Sequence, residues 1–293
     1  MKAHARFPLL AAGAIAIAGV LVLSRFAQWG AAPVPLGEPV ELPAGFMTYE
    51  EYGKVEHDRP YPIEAGDGAG RLLYFGIGHT RDPADPQLAE MRRRWEGFRP
   101  TVALCEGHLP FFVGTREGAF RRFGESATLY DLARESGIPI HSLEPTREEE
   151  AAHLLERFPA EKVALFLTLR RYVSFRRGEG TEGAEGFARG ALGRVKGLPG
   201  LGETFPGLEA MARFHAREFP DRPDWREVPE TFFDPGKTDT WMNGVQTRSN
   251  RFRDAHMVAL LVRLVRRGER VFAAVGASHV VMAEPALRAA LGG

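Results

Sequence analysis

Two short stretches could do chemistry together. Gly76-Ile77-Gly78-His79 and Gly276-Ala277-Ser278-His279 both spell Gly-x-x-His. With 33 glycines and 9 histidines in 293 residues, roughly one such pair is expected by chance, so position carries more weight than spelling. Each stretch closes an apolar run that reads as a buried strand, which leaves each histidine just past a strand's C-terminal end. Open α/β sheets bind ligands at that edge. Glu106 follows the run Val102-Ala103-Leu104-Cys105 at the same edge, and Glu144 follows Ile138-Pro139-Ile140-His141. Two imidazoles and a carboxylate are donor types that hold a borderline divalent cation, and they also move protons to and from water.

Arg253 adds a separate clue. It shares a helical stripe with Met257, Leu260, Leu261 and Leu264, and a buried charge on such a stripe requires a partner. The helix ends at Gly268 and feeds the last strand through a short turn, so the two run antiparallel. Arg253 and His279 are therefore expected to be neighbours, as either a structural ion pair with Glu106 or a group that stabilises a developing oxyanion.

The elements that must hold these residues alternate. Strands are predicted at 72–75, 102–105, 138–141 and 271–275, and helices at 85–98, 146–157, 160–176 and 250–267. Asp85 with Pro86, and the capping box Thr146-x-x-Glu149, mark two of the helix starts. Ten glycines between Gly178 and Gly207 suggest an excursion over the domain. The alternation predicts an α/β layered sheet with flanking helices.

The chain opens differently. Lys2 and Arg6 precede an uncharged run from Phe7 to Leu23, about 25 Å long as a helix and just short of a hydrocarbon core. Residues 1–26 read as a signal anchor or a signal peptide, with the domain outside the cytoplasm, or secreted or periplasmic if the segment is cleaved. Residues 27–46 form a Pro-rich linker, and 47–293 the α/β domain. The membrane is thus the first expected partner.

Charge narrows the rest. There are 38 Lys+Arg against 38 Asp+Glu, which excludes a polybasic nucleic-acid binder. Residues 1–32 hold Lys2, Arg6 and Arg25 and no acid, so the domain itself is slightly acidic. The single cysteine, Cys105, excludes an intramolecular disulfide and reads as a core residue.

Gly-x-x-His after the first strand, Glu106 after the second, Arg253-Asp254-x-x-Met257 and the terminal Gly276-x-x-His279 resemble the TraB/GumN and Tiki group of the erythromycin-esterase/ChaN-like superfamily. The resemblance covers about 71–107 and 248–291. It implies an erythromycin-esterase/ChaN-like fold and a metal-dependent hydrolase, with a peptide as the first-choice substrate. His79, Glu106 and His279 would hold a divalent metal ion (Mn, Co or Zn), and Arg253 would orient the glutamate or the oxyanion. Erythromycin-esterase-like members imply instead a metal-independent hydrolase of small esters with a histidine base; a third reading is a non-catalytic module of the same fold that binds a peptide or haem. His108 is a possible further ligand. Asp254 reads as serving the helix N-terminus, Glu144 as loop structure, and His256 and Trp241 as possible lining of the site.

Overall fold

A computed structural model describes residues 43–107, 116–179 and 183–292. The expected anchor, most of the linker and His108 lie outside these residues. Among the described residues no helix is long and apolar enough to cross a membrane.

The fold is α/β. After a single helical turn, α1 (Tyr49–Tyr52), the strands are β1 (Tyr61–Gly66), β2 (Arg71–Ile77), β3 (Val102–Cys105), β4 (Ile140–Ser142) and β5 (Arg270–Gly276). They form one mixed sheet in the order β1-β2-β5-β3-β4. β2, β5, β3 and β4 run parallel, and β1 pairs antiparallel with β2. β2, β3 and β5 are apolar almost throughout because both their faces are covered. β1 carries Pro62, which an edge strand tolerates. That proline, and a polar Asp67-Gly68 turn to β2, hide it from a search for apolar runs.

Of the four expected helices, two start at the caps read from the sequence: α2 (Pro86–Phe98), capped by Asp85, and α5 (Arg147–Leu155), opened by the Thr146–Glu149 box. Between them lie α3 (Arg116–Phe123) and α4 (Glu125–Ser136). The long helix α6 (Ala160–Glu179) follows. The expected excursion at 178–207 is corrected: residues 184–196 form a helix, α7 (Ala184–Lys196), not a stretch lying loose over the domain. Its glycines sit on the outside, while Ala184, Ala188, Ala191, Leu192 and Val195 are buried against neighbouring helices. Small apolar residues, not the glycines, decide its structure. After α8 (Leu208–Glu218) two short 3-10 turns lead to α9 (Trp241–Arg266). The last helix, α10 (Ala277–Leu291), starts immediately after β5.

α9 also begins nine residues earlier than the apolar pattern suggests. The Asn243 side chain turns back to accept from the Thr240 N–H at 2.9 Å. Its first half buries Asn243, Gln246, Ser249 and Asn250, and polar side chains on the inner stripe conceal the helical period. The cores split accordingly. One lies among α5, α6, α7 and α8 and includes Met242 and Val245 of α9. The other two flank the sheet, and Met257, Leu260, Leu261 and Leu264 join one of them.

Candidate functional site

The strand order sets the residues side by side. Along the C-terminal edge, β2 leads to His79, β5 to His279 in the first turn of α10, β3 to Glu106, and β4 to Glu144. The site is thus an edge of four adjacent parallel strands, the location expected for an α/β ligand site.

Glu106 is the hub. One carboxylate oxygen, Oε2, accepts from the Gly276 N–H at 2.8 Å. The other, Oε1, lies 3.1 Å from Arg253 Nη2 and 3.5 Å from His279 Nε2. Gly276 is the N-cap of α10, so the carboxylate also sits at the positive end of a helix. Burial works against the charge on Glu106. The His279 imidazole, then Arg253 and His79, outweigh it and hold the carboxyl well below the usual range.

Each histidine is backed by its own carboxylate. His279 Nδ1 is 2.6 Å from Asp254 Oδ1, and His79 Nδ1 is 2.6 Å from Glu125 Oε1. Both rings therefore keep Nε2 for the site. Burial would lower the His279 pKa, but Asp254 and then Glu106 push it up to about 10. The Glu125 hydrogen bond raises His79 as well. The two differ in access: the His79 side chain is 68% exposed and that of His279 13%. Glu125 reaches His79 because Gly124 brings the start of α4 against the loop. A Cβ there would come within 2.6 Å of the Thr80 carbonyl, and its φ is +58°, so only glycine fits.

The two histidines and the glutamate meet over Gly276. A Cβ at that position would lie 3.4 Å from Glu106 Oε2, 3.4 Å from His79 Nε2 and 3.8 Å from His279 Cδ2. The missing side chain opens a small polar cradle.

Arg253 forks between carboxylates. Its Nε donates to Glu144 Oε2 at 2.7 Å, its Nη2 reaches both Glu144 Oε1 and Glu106, and its Nη1 reaches Asn250 at 3.3 Å. Glu144, which the sequence suggests to be loop structure, is instead Arg253's principal partner; its backbone N–H is fixed by Ser142 Oγ at 3.1 Å. Asp254 needs a similar correction. It is 2% exposed and orients His279, not the helix N-terminus. The sequence could not show this, because i and i+1 on a helix face different ways and Arg253 held the predicted stripe. Nothing in the sequence points to Glu125, which lies 46 residues from His79 in a region without a motif.

Other residues fall away from the centre. Cys105 is buried in β3 and burial raises its thiol pKa. His256 is buried and its pKa is lowered by that burial. Trp241 packs with Phe219 in the helical core, 5.7 Å between ring centres. Among the described residues no three His, Cys, Asp or Glu side chains stand at the spacing of a metal site. The donor chemistry nevertheless fits a divalent cation. His79 Nε2 and a Glu106 oxygen face the cradle, His279 Nε2 lies 3.5 Å from the other Glu106 oxygen, and a carboxylate behind each Nδ1 is the arrangement that orients metal-binding imidazoles. Compared with family models, curated proteins and solved structures, the chain matches none, so its site stands on this geometry alone.

Proposed function

We propose that this chain is a hydrolase of the TraB/GumN and Tiki type, with an erythromycin-esterase/ChaN-like fold, that attacks a peptide with water at the edge of the sheet. The observation that carries the reading is the cradle over Gly276, faced by Glu106 and two carboxylate-backed histidines. His79, Glu106 and His279 would hold a divalent metal ion, which supplies a bound water of lowered pKa. Glu106 accepts hydrogen bonds at the centre. His279 is positioned by Asp254 and His79 by Glu125. Arg253 is held by Glu144 and keeps Glu106 ionised and in place. The basic, apolar N-terminal run supports a membrane anchor or signal peptide, with the domain outside the cytoplasm.

A second reading drops the metal. It is favoured by the contact of Glu106 Oε1 with His279 Nε2 at 3.5 Å, in which the carboxyl is held ionised and the imidazole held protonated. An ionised carboxylate can accept a proton and an imidazolium can donate one. Glu106 would take a proton from water, and the His279 imidazolium would give one to the leaving group. The histidine then acts as acid, the reverse of the histidine base that the sequence resemblance implies.

One experiment separates them. The full chain in detergent is assayed for bound metal and for turnover of peptide and ester panels, with and without chelator, beside Glu106→Gln and His279→Ala. Turnover that needs metal and is lost in both variants supports the first reading. Chelator-resistant turnover lost in both variants selects the second. Turnover unaffected by either variant overturns both.

A further inference from the structure

Beside the sheet edge lies a cavity of about 770 Å3, with Glu144, Arg253 and Gly107 forming part of its wall. It is therefore continuous with the residues that hold Glu106. The rest of its lining includes Glu150, already paired with Arg170, beside an apolar side and a basic side. Leu167, Phe175 and Phe187 are apolar, with the two phenylalanine rings stacked 4.3 Å apart. Against them stand Arg147, Arg171 and Arg194, from three different helices.

These arginines differ from the others at the site. Arg170 is satisfied by Glu150 at 2.8 Å and Arg253 by Glu144. Arg147, Arg171 and Arg194 form no ion pair with a carboxylate among the described residues, although the Glu150 charge acts on Arg171. Arg171 is half-buried, and burial followed by repulsion from Arg147, Arg194 and Arg170 lowers its pKa to about 10. Like charges gathered in one wall are unfavourable unless a counter-charge joins them. Guanidinium forks match the oxygens of a carboxylate or a phosphate.

We propose that this cavity is the substrate's anion subsite, taking a carboxylate or phosphate group carried on an apolar body. The anion sits on Arg147, Arg171 and Arg194, and the apolar body lies along Leu167, Phe175 and Phe187. The remainder of the substrate then extends past Glu144 and Arg253 toward the cradle. The proposal rests on the sheet edge being the reacting centre, and it names the class of substrate that centre serves.

The test measures binding apart from turnover. The full chain in detergent is titrated calorimetrically with N-acetylphenylalanine, its uncharged amide, and phenyl phosphate. The variants are Arg171→Gln with Arg194→Gln, and Glu106→Gln. The acid or the phosphate should bind at least tenfold more tightly than the amide, and the double arginine variant should lose that preference. Whichever anion binds more tightly identifies the group the subsite serves. The double variant removes repulsion, so its melting temperature should equal or exceed the parent's, which confirms that it is folded. Glu106→Gln should keep the preference for the anion. Equal binding of acid and amide, or an unchanged preference in the folded arginine variant, overturns the proposal. Turnover lost in Glu106→Gln alongside arginine-independent binding would remove the subsite and leave the hydrolase. Arginine-dependent binding without any turnover would do the reverse.

Discussion

Gly276→Ala tests the cradle with one methyl group. Gly276 has φ −54° and ψ 137°, a conformation alanine adopts freely. Its new Cβ would make ordinary contacts at 3.4 Å or more, so nothing has to move. Alanine is a poorer N-cap than glycine by several tenths of a kcal/mol, and it restricts the unfolded chain by about the same amount. The net change in stability should be within about 1 kcal/mol, or no more than about 4 °C in melting temperature. Function should respond differently. A water or ligand atom at the centre must approach Glu106 Oε2 and His79 Nε2 to about 2.8 Å, or a metal to about 2.1 Å. A methyl carbon 3.4 Å from both atoms takes that space. Losing two interactions with charged groups costs about 3 kcal/mol or more, equivalent to a hundredfold or more in binding or rate. Calorimetric titration with Mn, Co and Zn, together with hydrolysis assays and thermal melts, gives the comparison. A folded Gly276→Ala chain with parental metal affinity and turnover would refute the idea that chemistry occurs over this glycine.

Further predictions concern charge and packing. Asp254→Asn should bring the His279 pKa down from about 10 toward 6.5, read from imidazole resonances in an NMR titration of the metal-free chain; an unmoved value would contradict the contact. Because the folded pKa of His279 is raised, its stabilisation is complete below about pH 6.5 and is lost as pH rises through about 10. The pKa difference is worth about 5 kcal/mol in the metal-free chain, and urea unfolding from pH 6 to 10 should show most of that loss removed in Asp254→Asn. For Glu150, burial raises the pKa but Arg170 and Ser249 bring it down to about 2. Its contribution of about 3 kcal/mol should be present above pH 4.5 and fade as pH falls through 2, and Glu150→Gln should flatten that acid limb of the stability curve. Leu192→Ala in α7 should cost about 2–5 kcal/mol in denaturant unfolding; a negligible cost would restore the picture of a loose excursion at 184–196.

How much of this was readable beforehand depends on which residues faced the core. Runs such as 72–75 and 271–275 announced themselves because β2 and β5 are covered on both faces. His79, Glu106 and His279 could be singled out because each follows such a run, and Arg253 because it interrupts an apolar stripe. The unread parts share a physical cause. β1 is an edge with a proline, and the first half of α9 buries amides and a hydroxyl, so neither has an apolar signature. Asp254, Glu144 and Glu125 act by reaching groups 25, 109 and 46 residues away, pairings that only the folded chain creates.

The span of α9 has one more consequence. At 26 residues it is about 39 Å long, with Met242 and Val245 in the helical core and Leu260 and Leu261 against the sheet. Arg253 and Asp254 fall in the stretch between. The site therefore draws on both cores: Arg253 and Asp254, the partners of Glu106 and His279, are held on a rod that is gripped at both ends.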